Sequence, residues 1–162
     1  NVKFTDMALL EEIQGDITSI GEDLLVKDLP IIKQISFSTS EVGDDATFEN
    51  LEDVTDMDIG QLAEVGGTLK IKDLDALYEV NVNSLEDADK IDIVDNKDLH
   101  TLKASSLATV GTLNVKNNPL LQIVNQVNPT GTIGELTLDL GNGIEIKDTD
   151  QLASWQDANT VA

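Results

Sequence analysis

The most ordered polar feature of the sequence is a column of Asp and Asn residues that recurs every 22 or 23 positions. Side-chain oxygens at such a spacing could bind metal ions, or could accept hydrogen bonds from backbone N–H groups at a corner. A metal column would need carboxylates throughout, and carboxylates stacked about 5 Å apart would repel one another. We therefore interpret the column as a structural ladder. Its members are Asp6, Asp28, Asn50, Asp73, Asp95 and Asn117, and Leu140 interrupts it.

A second group of carboxylates, Asp53, Asp56 and Asp58, resembles a calcium-binding loop. The EF-hand spacing fails, however. Counting from Asp56 as the first ligand, Gln61 occupies the position that requires Gly, and Gly67 occupies the position that requires Glu. The sequence therefore predicts no metal site and no cofactor, with weak calcium binding at these acidic corners as the alternative.

Groups for nucleophilic catalysis are sparse. The single histidine, His100, follows an apolar position and is expected at the surface or at a corner. The chain has no Cys, no Ser in a G-x-S-x-G setting and no phosphate-binding G-x-x-x-x-G-K-[ST] loop. Because 31 residues are acidic, some pair of carboxylates always looks suitable for a hydrolase, so such a pair does not indicate that activity. We predict no catalytic residue.

Apolar columns with the same period identify the elements that position these side chains. Two of the columns, two residues apart, run through seven copies without a gap, and two residues of that spacing point to the same face of a strand. The first contains Val2, Leu24, Ala46, Leu69, Ile91, Leu113 and Leu136. The second contains Phe4, Val26, Phe48, Ile71, Ile93, Val115 and Leu138.

Further apolar columns and a closing Val-Gly or Ile-Gly pair complete a repeat close to L-x-[IV]-x-[DN]-L-x-x-L-x-x-V-x-V-x-x-L-x-x-V-G. One such unit cannot bury its apolar residues alone, whereas stacked units share a continuous core. We predict an all-β, right-handed parallel β-solenoid of about seven turns of 22–23 residues, forming one domain over residues 1–162. Residues 145–162, with Leu152 and Trp155, are expected to form a C-terminal cap.

Composition limits the partners. Only 3% of residues are aromatic, so the core must be aliphatic, and a formal charge of −21 disfavours nucleic acids and anionic membrane surfaces. No apolar run is long enough to cross a membrane, and no targeting segment is present. We expect an acidic, secreted or cell-surface protein from which the targeting segment has been removed.

The residues between the first two apolar columns should form an outward sheet face, and this face is the predicted binding surface. A solvated sheet face with no partner is the alternative interpretation. The candidate binding residues on it are Thr47, Lys70, Asp92, Asn114 and Thr137.

Several segments resemble the receptor L domain, a leucine-rich-repeat-like solenoid family of cell surfaces. They are residues 65–71 (VGGTLKI), 110–115 (VGTLNV) and 117–121 (NNPLL), which match the family's G-x-L-x-I strands and N-x-x-L corners. The missing cysteines and the scarcity of aromatic residues depart from the animal receptors and favour a bacterial surface protein. The resemblance implies extracellular recognition or adhesion without catalysis, and it transfers no binding residue.

The sequence thus favours a non-enzymatic, extracellular or cell-surface binding or adhesion module with a protein or glycan partner. One alternative is a carbohydrate-active β-solenoid enzyme of the lyase type, and another is a structural spacer of a longer surface protein. The complete absence of Arg weakens the lyase hypothesis. Open solenoid edges also predict that two copies can pair as a homodimer.

Overall fold

The computed structural model describes residues 1–122, 132–140 and 145–146, and this part of the chain is all-β with no helix. In chain order the strands are β1 (Val2–Thr5), β2 (Glu12–Gly15), β3 (Ser19–Ile20), β4 (Leu24–Lys27), β5 (Gln34–Phe37), β6 (Glu41–Val42), β7 (Ala46–Glu49), β8 (Asp56–Asp58), β9 (Glu64–Lys72), β10 (Glu79–Asn81), β11 (Asp87–Val94), β12 (Thr101–Lys103), β13 (Thr109–Asn118), β14 (Thr132–Leu140) and β15 (Glu145–Ile146).

The predicted parallel β-solenoid is confirmed. The main sheet stacks β1, β4, β7, β9, β11, β13 and β14 in parallel, and its registers join residues 22 or 23 positions apart, as in Leu24 with Ala46 and Ile91 with Leu113. These seven strands enclose about six complete turns, where the sequence columns predicted about seven. Strand β1 pairs only with β4, so it forms the edge that is available for the predicted pairing of two copies.

A second side of the solenoid carries short strands. Strands β2, β5 and β8 form one minor sheet, and β10 pairs with β12 in another. The core between the sides is aliphatic as expected. Val26, Ile71, Ile93 and Val115, all from the second apolar column, are fully buried. Branched side chains at such positions pack well against neighbouring turns in parallel layers.

The closing glycines allow one turn to lie directly on the next. A Cβ atom on Gly111 would lie 2.5 Å from the carbonyl oxygen of Asp89, and one on Gly134 would lie 2.6 Å from that of Gly111. Asp89 itself is tolerated in this column because β9 has a bulge, where Gly66 and Gly67 lie opposite Asp89 alone. Glycine is therefore required here for close backbone approach.

The Asp/Asn column is a structural corner, as predicted, but its mechanism differs from the prediction. Its six described members all adopt the left-handed backbone conformation, with φ between 56° and 61°. Asn and Asp tolerate this conformation better than other residues with a Cβ. The hydrogen bonds that reach these side chains come from other side chains, not from backbone N–H groups. Asn50 Nδ2 donates to Asp28 Oδ1 at 2.6 Å, and Asn117 Nδ2 donates to Asp95 Oδ1 at 2.9 Å.

The parallel order ends after β14. Strand β15 pairs with β14 in the antiparallel direction, with Asp139 opposite Glu145, so part of the outer edge of β14 is occupied. Strand β15 is the start of the predicted cap. The rest of that cap, including Leu152 and Trp155, lies outside the described residues, so the cap stays a prediction.

Candidate functional site

The outward side of the main sheet, called here the main-sheet face, brings the five predicted binding residues together. They occupy five adjacent strands at one level: Thr47 pairs in register with Lys70, Lys70 with Asp92, Asp92 with Asn114, and Asn114 with Thr137. All five side chains are half-buried. Successive side chains of a strand point to opposite faces of the sheet. Each of these five residues lies between two inward-facing neighbours and therefore faces outward.

The main-sheet face differs in charge from the rest of the chain. The charge difference lies in two outward columns, one between the two apolar columns and one directly after the second. They hold five of the chain's 10 lysines and three carboxylates, although the chain as a whole has a formal charge of −21. The lysines are Lys3, Lys27, Lys70, Lys72 and Lys116, and the carboxylates are Glu49, Asp92 and Asp139. Carboxylates return at the start of strands β9 and β11, at Glu64, Asp87 and Asp89. Sequence reasoning located the row but missed this lysine excess, which appears only when the row is counted together with the column that holds Lys27, Lys72 and Lys116.

Ion pairs order the centre of the main-sheet face. The Glu49 carboxylate forms ion pairs with Lys70 Nζ at 2.8 Å and with Lys27 Nζ at 3.1 Å. The two lysines lie on the strands that flank Glu49. The Asp92 carboxylate forms an ion pair with Lys90 Nζ at 2.6 Å and accepts a hydrogen bond from Asn114 Nδ2 at 3.0 Å. These contacts fix long side chains in place, so less side-chain entropy is lost when a partner binds.

At the margin of this face, Lys72 lies between two carboxylates of the Asp/Asn column. Its Nζ is 2.8 Å from Asp73 Oδ2 and 3.7 Å from Asp95 Oδ2. The hydrogen bond to Asp73 raises the pKa of Lys72, which is therefore held in its charged form. The repulsion expected between stacked carboxylates is offset here by a lysine and, at Asp28 and Asp95, by the amide of an Asn.

The Glu49 ion pairs give a pH-dependent prediction. The hydrogen bond from Lys70, with a smaller one from Lys27, lowers the pKa of Glu49, although burial of the carboxylate opposes the shift. A lowered pKa in the folded state stabilises the protein above the unfolded-state pKa of about 4.3, and this stabilisation is lost as pH falls through the folded-state pKa. We expect Glu49→Gln to lower the free energy of unfolding by about 0.5–1 kcal/mol at pH 7, because its lysine partners remain partly exposed.

Urea unfolding of Glu49→Gln and wild type at pH 7 and at pH 3 checks this expectation. The difference between the two proteins should shrink at the lower pH. Glu86→Gln is the control, because Glu86 is exposed and has no ion pair among the described residues. A Glu49→Gln deficit that is unchanged at pH 3 would show that the loss is steric and not electrostatic.

A buried asparagine pair was missed by the sequence analysis. Asn96 and Asn118, one residue past the Asp/Asn column, are 0% and 1% exposed, whereas the three preceding turns have Leu at this position and the first has Met7. Asn96 Oδ1 accepts the Leu74 N–H at 3.0 Å, and its Nδ2 donates to the carbonyl oxygen of Ile71 at 3.2 Å and to Asn118 Oδ1 at 3.1 Å. The pair belongs to the core and is not a ligand site.

A groove on the minor-sheet side was also missed. It has a volume of about 490 Å³ and is lined by residues of β2, β5, β8 and β10, together with the exposed ring of Tyr78. Its polar residues fall at outward positions of short strands, which a periodic pattern assigns to solvent. Asp56 and Asp58 lie here. Asp44 and Asp45, which could have added carboxylates to a calcium site, precede the main-sheet strand β7 and lie on a different side of the solenoid.

The residues considered for chemistry remain dispersed. No group of three or more His, Asp or Glu side chains among the described residues is placed to hold a metal ion. His100 is half-buried and stacks on Tyr78, with 4.4 Å between ring centroids. Its Nδ1 lies 2.7 Å from the carbonyl oxygen of Asp98, which can only accept, so Nδ1 carries the hydrogen.

Comparisons with protein-family models, with curated proteins and with solved structures found no match to this chain. The resemblance to the receptor L domain therefore stays a prediction. The described residues include no helix that could cross a membrane.

Proposed function

We propose that this chain is a non-enzymatic binding or adhesion module of the extracellular space or cell surface. Its main-sheet face recognises a partner, and the row of Thr47, Lys70, Asp92, Asn114 and Thr137 lies at the centre of the contact. The observation that supports this proposal is the concentration of five of the chain's 10 lysines, against three carboxylates, in two adjacent outward columns of a strongly acidic protein.

The size and chemistry of this face favour a protein partner. Seven strands about 4.8 Å apart span roughly 29 Å, a dimension suited to a small or transient protein interface. Alternating lysines and carboxylates can meet complementary charges on a partner, which improves specificity and association rate more than affinity. A glycan partner at this face would lack an aromatic ring to stack on, because the outward positions of these strands hold none.

An array of matrix proteins and glycans, probed with the labelled chain in the presence of calcium and in the presence of a chelator, tests this proposal. We expect saturable binding to at least one protein that is independent of calcium, and that weakens with added salt because ion pairs contribute to it. In parallel, the chain is incubated with a polysaccharide panel and the products are analysed. Release of unsaturated oligosaccharides would contradict the proposal in favour of a lyase.

A further inference from the structure

The minor-sheet groove coincides with a break in the hydrogen-bond ladder. At the corresponding corners, Lys33 N–H donates to the carbonyl oxygen of Glu11, Thr55 N–H to that of Lys33, and His100 N–H to that of Tyr78, at 2.9–3.1 Å. Within the described residues, the equivalent bond from Tyr78 to Thr55 is missing, and β8 does not pair with β10. The two turns are therefore not joined by the ladder along this part of the groove.

Tyr78 presents an aromatic surface to this opening. Its side chain is 57% exposed, and one face of its ring is covered by His100 from the next turn at an interplanar angle of 16°. Tyr78 and Thr55, from the preceding turn, both line the groove. Tyr78 is the only tyrosine of a chain with few aromatic residues, and its exposed ring combines an apolar face with a polar hydroxyl, as binding surfaces commonly do.

The polar lining combines hydrogen-bond acceptors with groups that can also donate. The carboxylates of Glu12, Asp56 and Glu79 accept, whereas the amides of Gln34 and Asn81 both donate and accept. A sugar hydroxyl needs partners of both kinds, and the C–H face of a sugar ring packs against an aromatic ring. The groove crosses four turns, or about 14 Å, which is enough for a short oligosaccharide.

We propose that the minor-sheet groove binds a short, uncharged oligosaccharide, with one sugar ring stacked on Tyr78 and its hydroxyls held by the carboxylates and amides. Acidic sugars are disfavoured because several carboxylates and no lysine line the groove among the described residues. A basic peptide would use the carboxylates but would leave the amides without a role. The site is on a different side of the solenoid from the main-sheet face, so either proposal can fail without the other.

Calorimetric titration tests the proposal with three kinds of probe: neutral gluco-, manno- and xylo-oligosaccharides, oligogalacturonate, and an oligolysine peptide. We expect at least one neutral oligosaccharide to bind, and Tyr78→Ala to weaken that binding about tenfold or more, as for an interface anchor. Tyr78→Phe keeps the ring and should retain binding. Leu9→Ala, which removes an 88% exposed apolar side chain elsewhere, should also retain it.

A second pair of variants tests the carboxylates. Asp56→Asn should weaken binding of the same oligosaccharide, whereas Glu86→Gln, which changes the net charge equally outside the groove, should not. Circular dichroism confirms that each variant is folded before titration. The proposal is overturned if no neutral oligosaccharide binds at millimolar concentration, if only oligolysine binds, or if Tyr78→Ala binds as well as wild type.

Discussion

Replacing Gly66 by Ala should destabilise the fold by about 3 kcal/mol or more, because the added Cβ would overlap the backbone of the preceding turn. The nearest atom to that Cβ is the carbonyl oxygen of Gly43, and the carbonyl carbon of Gly43 is only 3.0 Å away. Backbone atoms cannot rotate aside as a flexible side chain can. Relief would require separating two turns that the parallel ladder of β7 with β9 holds in register.

The matched control lies in the same column. Gly21 is the first glycine of the series, and a Cβ there would meet nothing within 4 Å. Gly21→Ala should therefore be neutral or slightly stabilising, because alanine reduces the freedom of the unfolded chain. Urea unfolding of both variants measures the difference. Equal stability of Gly66→Ala and Gly21→Ala would refute the close stacking of turns at this column.

Replacing Asn96 by Ala should cost about 3 kcal/mol, since it leaves a buried donor and a buried acceptor without partners. The Leu74 N–H would lose its acceptor at 3.0 Å, and the carbonyl oxygen of Ile71 would lose its donor at 3.2 Å. The side chain of Asn118 would also lose the amide of Asn96, to which it is joined at 3.1 Å. A cavity left by the truncated side chain adds to this loss.

Two further variants separate hydrogen bonding from packing at this position. Asn96→Leu restores the residue type found at the same position two turns earlier, at Leu51, whose N–H donates to the backbone carbonyl oxygen of Asp73 at 3.1 Å. We expect Asn96→Leu to be less destabilising than Asn96→Ala, because the turn can adopt that backbone bond. Asn114→Ala removes a half-buried amide with one side-chain bond and should cost less than about 1 kcal/mol. If Asn96→Ala unfolds at the same urea concentration as Asn114→Ala, the buried ladder is not a stabilising element.

The solenoid could be predicted from the sequence because its signal is repeated. The second apolar column, with members such as Val26, Ile71 and Val115, keeps the same period along the sequence. Each further column with that period supports the same parallel stacking independently. The row of candidate binding residues followed from the same register, because alternation in a strand fixes which side chains face outward. The end of the parallel stacking did not follow from the columns, since only the structure shows β15 reversing direction after β14.

Features that depend on a single position or on overall shape could not be predicted. Asn96 and Asn118 follow polar Asp and Asn positions and look like surface residues in the sequence, although both are buried. The left-handed corners are a backbone property that an Asp/Asn column suggests only indirectly. The groove at Tyr78 depends on the local separation of β8 from β10, and the residues on both strands follow the ordinary repeat.

The most direct test of the binding function compares two charge reversals on opposite parts of the molecule. Lys116 and Lys33 are both exposed, and neither forms an ion pair among the described residues, but only Lys116 lies on the main-sheet face. Surface plasmon resonance measures the affinity of each variant for the protein identified on the array. We predict that Lys116→Glu weakens binding by about tenfold, whereas Lys33→Glu matches wild type. Equal affinities for the two variants would contradict recognition through the main-sheet face.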